Sequence, residues 1–207
     1  YAKYGEAVKH QPDDCDAWYN WGIALSDQAR LKSGTEADAL FSESYAKYGE
    51  AVKHKPDNHE AWNNWGIALL AQAKLKAGTV ADELFAESYA KYGEAVRSKP
   101  NNHEAWNNWG NALLAQAKSK KVSRRMRLLN DAGTCLENAL QIEPTSIKYR
   151  YNLARVLVLK GMQYEAISHL HKLTLDKEKL AAIIAEESDF DGIRDTPEFQ
   201  SFVKSLS

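Results

Sequence analysis

"AWNNWG" occupies residues 105–110; it stands again at 61–66, and "AWYNWG" at 17–22. Two tryptophans three apart with a glycine directly behind fall on one face of an α-helix, because residues i, i+3 and i+4 are neighbours there. The unit recurs at a fixed interval of 44 residues, shared by Trp18, Trp62 and Trp106 and by Trp21, Trp65 and Trp109. The same interval separates "YAKYGEAV" at Tyr1, Tyr45 and Tyr89, and Pro12, Pro56, Pro100 and Pro144. Segments 1–44 and 45–88 differ at 12 of 44 positions. A repeat of this length is one supersecondary unit that buries its apolar face by stacking on copies of itself.

Each copy reads as two helices. In 59–76, Trp62, Trp65, Gly66, Leu69 and Ala73 form a stripe of helical period, and in 80–98 Leu84, Phe85, Ser88, Tyr89, Tyr92, Ala95 and Val96 form a second. "AGT" at 77–79 separates them, with Thr79 and Asp82 spaced as a capping box for the second helix. "KPDN" at 55–58 and "KPNN" at 99–102 end one helix, and their Asp or Asn is placed to cap the next. No stretch alternates as a strand does, so the fold expected is all-α.

On these residues the chain resembles the tetratricopeptide repeat family. Trp62, Trp65, Gly66 and Leu69, then Ser88, Tyr92, Ala95 and Pro100, follow the family's order of bulky, bulky-Gly, small, aromatic, Ala and Pro positions. The period exceeds the family's roughly 34 residues, which predicts about one extra turn in each helix. "LARVLVLKGMQYEAISHL" at 153–170 has the ordinary spacing at Leu153, Ala154, Leu157, Gly161 and Ala166. The resemblance covers roughly residues 1–175. It implies a right-handed α-α superhelix, a solenoid of helix hairpins. The expected organisation is elongated repeats over 1–144 with the first truncated, a standard hairpin over 145–176, and C-terminal capping helices over 177–207. In the last of these, Phe199 and Phe202 are expected to point inward. Tyr1 falls inside a repeated segment, so the native N-terminus is expected to lie upstream.

Composition narrows the function classes. Lys and Arg number 27 against 28 Asp and Glu, so no global charge draws the chain to nucleic acid or membrane. No apolar run reaches the roughly 18 residues of a membrane span. Cys15 and Cys135 stand alone, as expected of free thiols in a reducing, intracellular compartment. His10, His54, His59, His103, His169 and His171 form no metal-ligand spacing. There is no phosphate loop or nucleophile elbow. No catalytic residue, metal or cofactor is expected.

The repeats differ from one another beside the tryptophan stripe, as at Tyr19/Asn63, Ser26/Leu70 and Ile67/Asn111. In the tetratricopeptide family that neighbouring face of the first helix lines the concave groove. The resemblance therefore implies a partner-binding groove of Tyr19, Asn20, Asn63, Asn64, Asn107, Asn108, Asn111, Lys148, Tyr151, Asn152 and Arg155. Its asparagines read in two ways, as solvated side chains or as clamps on a peptide backbone; in both, Asn63, Asn107 and Asn111 are expected to be exposed. A clamp for a terminal carboxylate is incomplete, since Asn107 stands where the family has Lys. The function expected is a non-catalytic scaffold that binds a peptide or partner protein. The alternative is an RNA- or anionic-membrane-associated adaptor acting through the basic segment 118–127, with Lys118, Lys120, Lys121, Arg124, Arg125 and Arg127 around Ser123, a modification candidate. Exposed repeat ends also permit self-association.

Overall fold

The computed structural model describes residues 1–120 and 122–206, apart from the side chain of Ser123. Regular structure among the described residues is helical throughout: α1 Ala2–His10, α2 Cys15–Arg30, α3 Gly34–His54, α4 His59–Lys74, α5 Gly78–Ser98 and α6 His103–Ala117, then α7 Val122–Ile142, α8 Ile147–Leu159, α9 Gln163–His171, α10 Lys177–Glu186, a 3-10 helix Ser188–Ile193 and α11 Pro197–Lys204. The chain divides into two compact units, Tyr1–Ala112 and Leu113–Ser207.

In the first unit, hairpins α2–α3 and α4–α5 are near copies. Their starts are capped as the sequence indicates: Asp14, Asn58 and Asn102 accept from the backbone N–H of Ala17, Ala61 and Ala105 at 2.9, 3.0 and 3.1 Å. The expected capping box at Thr79 and Asp82 does not open α5. Its N-cap is Ala77, with no side-chain cap bond. The sharp turn is made instead by Gly78 at φ 63, and by Gly34 at φ 60 in the preceding copy, a left-handed conformation that glycine adopts without strain.

The extra length of the long repeats is unequal, which corrects the expectation of one turn per helix. The first helices, α2 and α4, have 16 residues against 13 in α8. The second, α3 and α5, have 21 against 9 in α9. The added residues extend each second helix at both ends, and near the start Phe41 or Phe85 is buried.

The core is built on small residues and tyrosine. Ala29, Phe41, Tyr48 and Ala68 form one buried cluster, against which Trp65 packs. Tyr48 and Tyr92 rank among the largest fully buried side chains. Gly22 and Gly66 are where these rings enter: a Cβ on either would stand 2.8 Å from a ring carbon of Tyr48 or Tyr92. At positions 22 and 66 the glycine behind the tryptophan pair is thus the seat for a tyrosine of the second helix in the same hairpin.

The tryptophans flank this core and are only partly buried. Each pair stacks nearly parallel, with centroids 5.8, 5.7 and 5.7 Å apart for Trp18–Trp21, Trp62–Trp65 and Trp106–Trp109. The first of each pair donates its indole N–H to the carbonyl of the proline six residues earlier: Pro12, Pro56 and Pro100, at 2.8, 2.9 and 3.1 Å. Lys47 and Lys91 lie over Trp21 and Trp65 at 4.1 and 3.8 Å, cations on indole faces. The recurring Trp and Pro positions therefore form one device that ties the inter-hairpin turn to the next helix.

In the second unit Arg150 holds the position of the first tryptophan and donates to the Pro144 carbonyl at 2.5 Å. Leu129, Leu136, Ala154, Val156, Ala166 and Leu170 are buried between α7, α8 and α9. Phe199 and Phe202 of α11 are buried too, and His171 meets Phe202 edge-on at 4.8 Å.

Candidate functional site

The first helix of each hairpin carries the candidate groove residues one and two places after its leading tryptophan. In the first unit these side chains meet across neighbouring first helices at a separation of 45. Asn64 Nδ2 of α4 donates to the Tyr19 hydroxyl of α2 at 2.6 Å, and Asn108 Nδ2 of α6 donates to Asn63 Oδ1 of α4 at 3.1 Å. Asn107 Nδ2 reaches Asn108 Oδ1 at 3.4 Å. The asparagines thus form a chain of amides linking α2, α4 and α6.

This corrects the expected exposure. Asn63 is 9% exposed and Asn107 fully buried, while Asn111 is half-buried and Asn20 exposed. The physical reason is the register between hairpins. An offset of one residue from the repeat period brings the amide of one copy against the amide or phenol of the next, and buried amides are stable only when so paired.

Beside this chain lies a polar cavity of about 350 Å³, walled by Tyr19, Glu60, Asn63, Asn64 and Glu104 from the first helices and by His59, Lys99, Asn101, Asn102 and His103 around the helix start. Burial, reinforced by nearby Lys99, pushes the His59 imidazole below its usual range, so it is neutral at neutral pH. Asn102 Nδ2 stands 3.3 Å from His59 Nδ1. Burial, with the Glu60 carboxylate, pushes the Tyr19 hydroxyl up, against the hydrogen bond from Asn64, so it stays protonated. The cavity therefore offers amides and one hydroxyl that both donate and accept, flanked by exposed Glu60 and Glu104. Such a lining suits the backbone and basic or polar side chains of an extended segment.

The remaining candidate residues sit in the second unit. Lys148 is exposed, and its ammonium lies 6.0 Å from the Tyr149 ring. Tyr151, Asn152 and Arg155 are covered by the 3-10 helix: Tyr151 meets Phe190 edge-on at 5.9 Å, and Arg155 pairs with Asp189 and Glu187. No signal in the sequence read residues 187–190 as their partner. Of the basic segment, Lys118 pairs with Asp189 at 2.6 Å. Arg124 and Arg127 are exposed and Arg125 is half-buried; Lys120 is half-buried and engaged. Lys121 and the side chain of Ser123 lie outside the described residues.

No group of His, Cys, Asp and Glu among the described residues could hold a metal ion, and no described helix is long and apolar enough to cross a membrane.

A family model described as "Plant specific mitochondrial import receptor subunit TOM20" matches residues 2–107, half of the chain and almost all of the first unit. No curated relative matches. Among solved structures, PilW, a type IV pilus biogenesis factor, is similar with a TM-score of 0.65 at 18% identity, over 99% of this chain and 82% of that one. YrrB, described as a TPR protein with an unusual peptide-binding site, gives 0.64 at 15%, over 98% and 90%. MamA from Desulfovibrio magneticus RS-1 gives 0.59 at 17%, over 89% and 84%. At such identities these likenesses show the fold, an all-α tetratricopeptide solenoid.

Proposed function

This chain belongs to the plant-specific TOM20 family of mitochondrial import receptor subunits, and we propose that it is a non-catalytic receptor that binds a segment of a protein destined for mitochondrial import. The observation that carries the reading is a coincidence of position. The family match ends at residue 107, and the polar cavity is built from residues 19 to 104 within the same unit. Tyr19, Asn64 and Asn102 are the groups placed to bond an extended backbone, and Glu60 and Glu104 those placed to meet basic side chains of the segment. Asn63, accepting from Asn108, ties α4 to α6 and so keeps this wall in shape. Its place of action on this reading is mitochondrial.

The experiment is site-directed crosslinking. A photoreactive amino acid replaces Glu60 or Glu104, both exposed, in the full chain. Import precursors made in vitro should crosslink at both positions and stop doing so once their targeting segment is removed. Equal crosslinking without that segment, or none with it, overturns the reading.

A second reading, contact with RNA or an anionic membrane through residues 118–127, draws on Val122 at 77% and Met126 at 39% exposure beside exposed Arg124 and Arg127. It is weakened by the pairing of Lys118. Reversing Lys120, Lys121, Arg124 and Arg125 to Glu should abolish salt-sensitive binding to anionic vesicles or RNA; unaltered protein that binds neither at about 50 mM salt retires it.

A further inference from the structure

Residues 187–190 pack against α8 through both charge and an aromatic ring. Asp189 places one carboxylate oxygen 2.6 Å from Lys118 Nζ. The other lies 2.9 Å from Arg155 Nε and 2.8 Å from a terminal guanidinium nitrogen. A further Arg155 nitrogen donates to Asn152 Oδ1 at 3.3 Å, and Glu187 approaches Arg155 Nε at 3.0 Å. The Asp189 side chain is 4% exposed. Next to it Phe190 is fully buried, edge-on to Tyr151 and stacked on Phe199 with centroids 6.0 Å apart.

A buried carboxylate held by a half-buried guanidinium and an exposed ammonium is a poor choice for stability alone. Desolvating the ions offsets most of their attraction, and apolar side chains of similar volume would hold the segment as well. What such a cluster supplies is discrimination. The fixed guanidinium fork and the ammonium select a carboxylate, and the aromatic slot beside them selects the ring that follows it. The occupant is a short 3-10 helix, a weak element in its own right, with Asp191 and Gly192 exposed. The cations stand on, or one residue past, helices of the repeat array, whereas the occupant comes from outside it.

We propose that Lys118, Asn152, Arg155 and Tyr151 form a binding site for an internal acidic-aromatic segment, Asp followed by Phe. Residues 187–190 are its resident occupant, and an equivalent segment of a partner protein displaces them. The site lies in the second unit and stands independently of the cavity in the first. Binding in trans requires the resident segment to leave, so the affinity seen for the unaltered chain is the intrinsic affinity reduced by the fraction of open molecules.

The test uses the full chain and a fluorescent peptide of residues 186–194. Asp189→Asn keeps the size of the resident side chain and removes its charge. This variant should bind the peptide about tenfold or more tightly than the unaltered chain, by the open-fraction relation. A peptide with Asp189→Asn or Phe190→Ala should lose that binding, as should the chain variant carrying Arg155→Glu in addition. In the unaltered chain, excess peptide should speed hydrogen exchange over residues 187–195, a readout that does not depend on any variant folding. Acceleration there, abolished when the peptide lacks its Asp, supports the site. Unchanged exchange together with no binding to the Asp189→Asn chain overturns it and leaves 187–190 as a fixed part of the fold.

Discussion

Gly66→Ala should destabilise the protein although it improves the helix. In the middle of α4, alanine in place of glycine gains roughly 1 kcal/mol from propensity alone. The new Cβ, however, would stand 2.8, 2.9 and 3.0 Å from three ring carbons of Tyr92. Ordinary carbon contacts lie at about 3.5–4.0 Å, so the ring must move by ~0.7 Å or more. Tyr92 has no exposed surface, so it can move only by displacing its neighbours, at an overpacking cost of about 1–3 kcal/mol. The net expectation is a loss of up to ~2 kcal/mol. Gly49→Ala is the control: there the Cβ meets the Trp65 ring at 3.8 Å, an ordinary contact, and only the propensity gain of ~0.5–1 kcal/mol should remain. Urea unfolding followed by tryptophan fluorescence suits both variants. The tryptophans lie between residues 18 and 109, so the signal reports the first unit. The two substitutions should move the midpoint in opposite directions at unchanged m-value. A Gly66→Ala midpoint equal to or above that of Gly49→Ala would refute the claim that the ring fixes this glycine.

Asn63→Ala should cost about 1–3 kcal/mol in the same assay, because it strands the Asn108 amide that donates to it; an unchanged midpoint would mean the amide chain carries no load. Hydrogen bonds from Lys76 and Gln72 hold the Asp38 carboxyl below its usual range, so its contribution is fully present above the unfolded value of about 3.9 and is lost as pH falls through the lower folded value. The stability difference between unaltered protein and Asp38→Asn should accordingly be flat near neutrality and shrink in acid; a pH-independent difference contradicts it. Burial pushes the Cys135 thiol up to about 12, so a thiol reagent should label only half-buried Cys15 in the native chain and reach Cys135 on unfolding. Two equally rapid reactions would show that the α7 core opens readily.

The repeat, its helices and the capping asparagines were legible because each rests on local rules. Helical period sets the stripe, and Asn58 needs only the N–H three residues on. The Trp18–Pro12 tie is also local in chain distance, yet nothing in the residue types predicts which carbonyl an indole will find. Asn63 and Asn107 were misread because an amide looks the same in sequence whether water or another amide satisfies it. Only the register between hairpins decides that. The covering of Arg155 by Asp189 was invisible for a similar reason. It joins residues 34 apart through a segment that follows no repeat. The elongation was seen but spread evenly, since a period of 44 fixes the sum of two helix lengths and leaves their ratio to packing.

Two of the bonds that join one first helix to the next fall at the same offset, one residue past the repeat period. Tyr19 meets Asn64 and Asn63 meets Asn108, each pair 45 apart, while the first tryptophan of each pair is anchored to a proline inside its own stretch. A recombination event that adds or removes 44 residues therefore keeps the register of these contacts, with an amide in place of the Tyr19 phenol in the later copies. For a repeat protein of this kind the number of hairpins is a quantity that heredity can change in a single step. The 12 differences between the first two copies mark how far side chains have since drifted under that common frame.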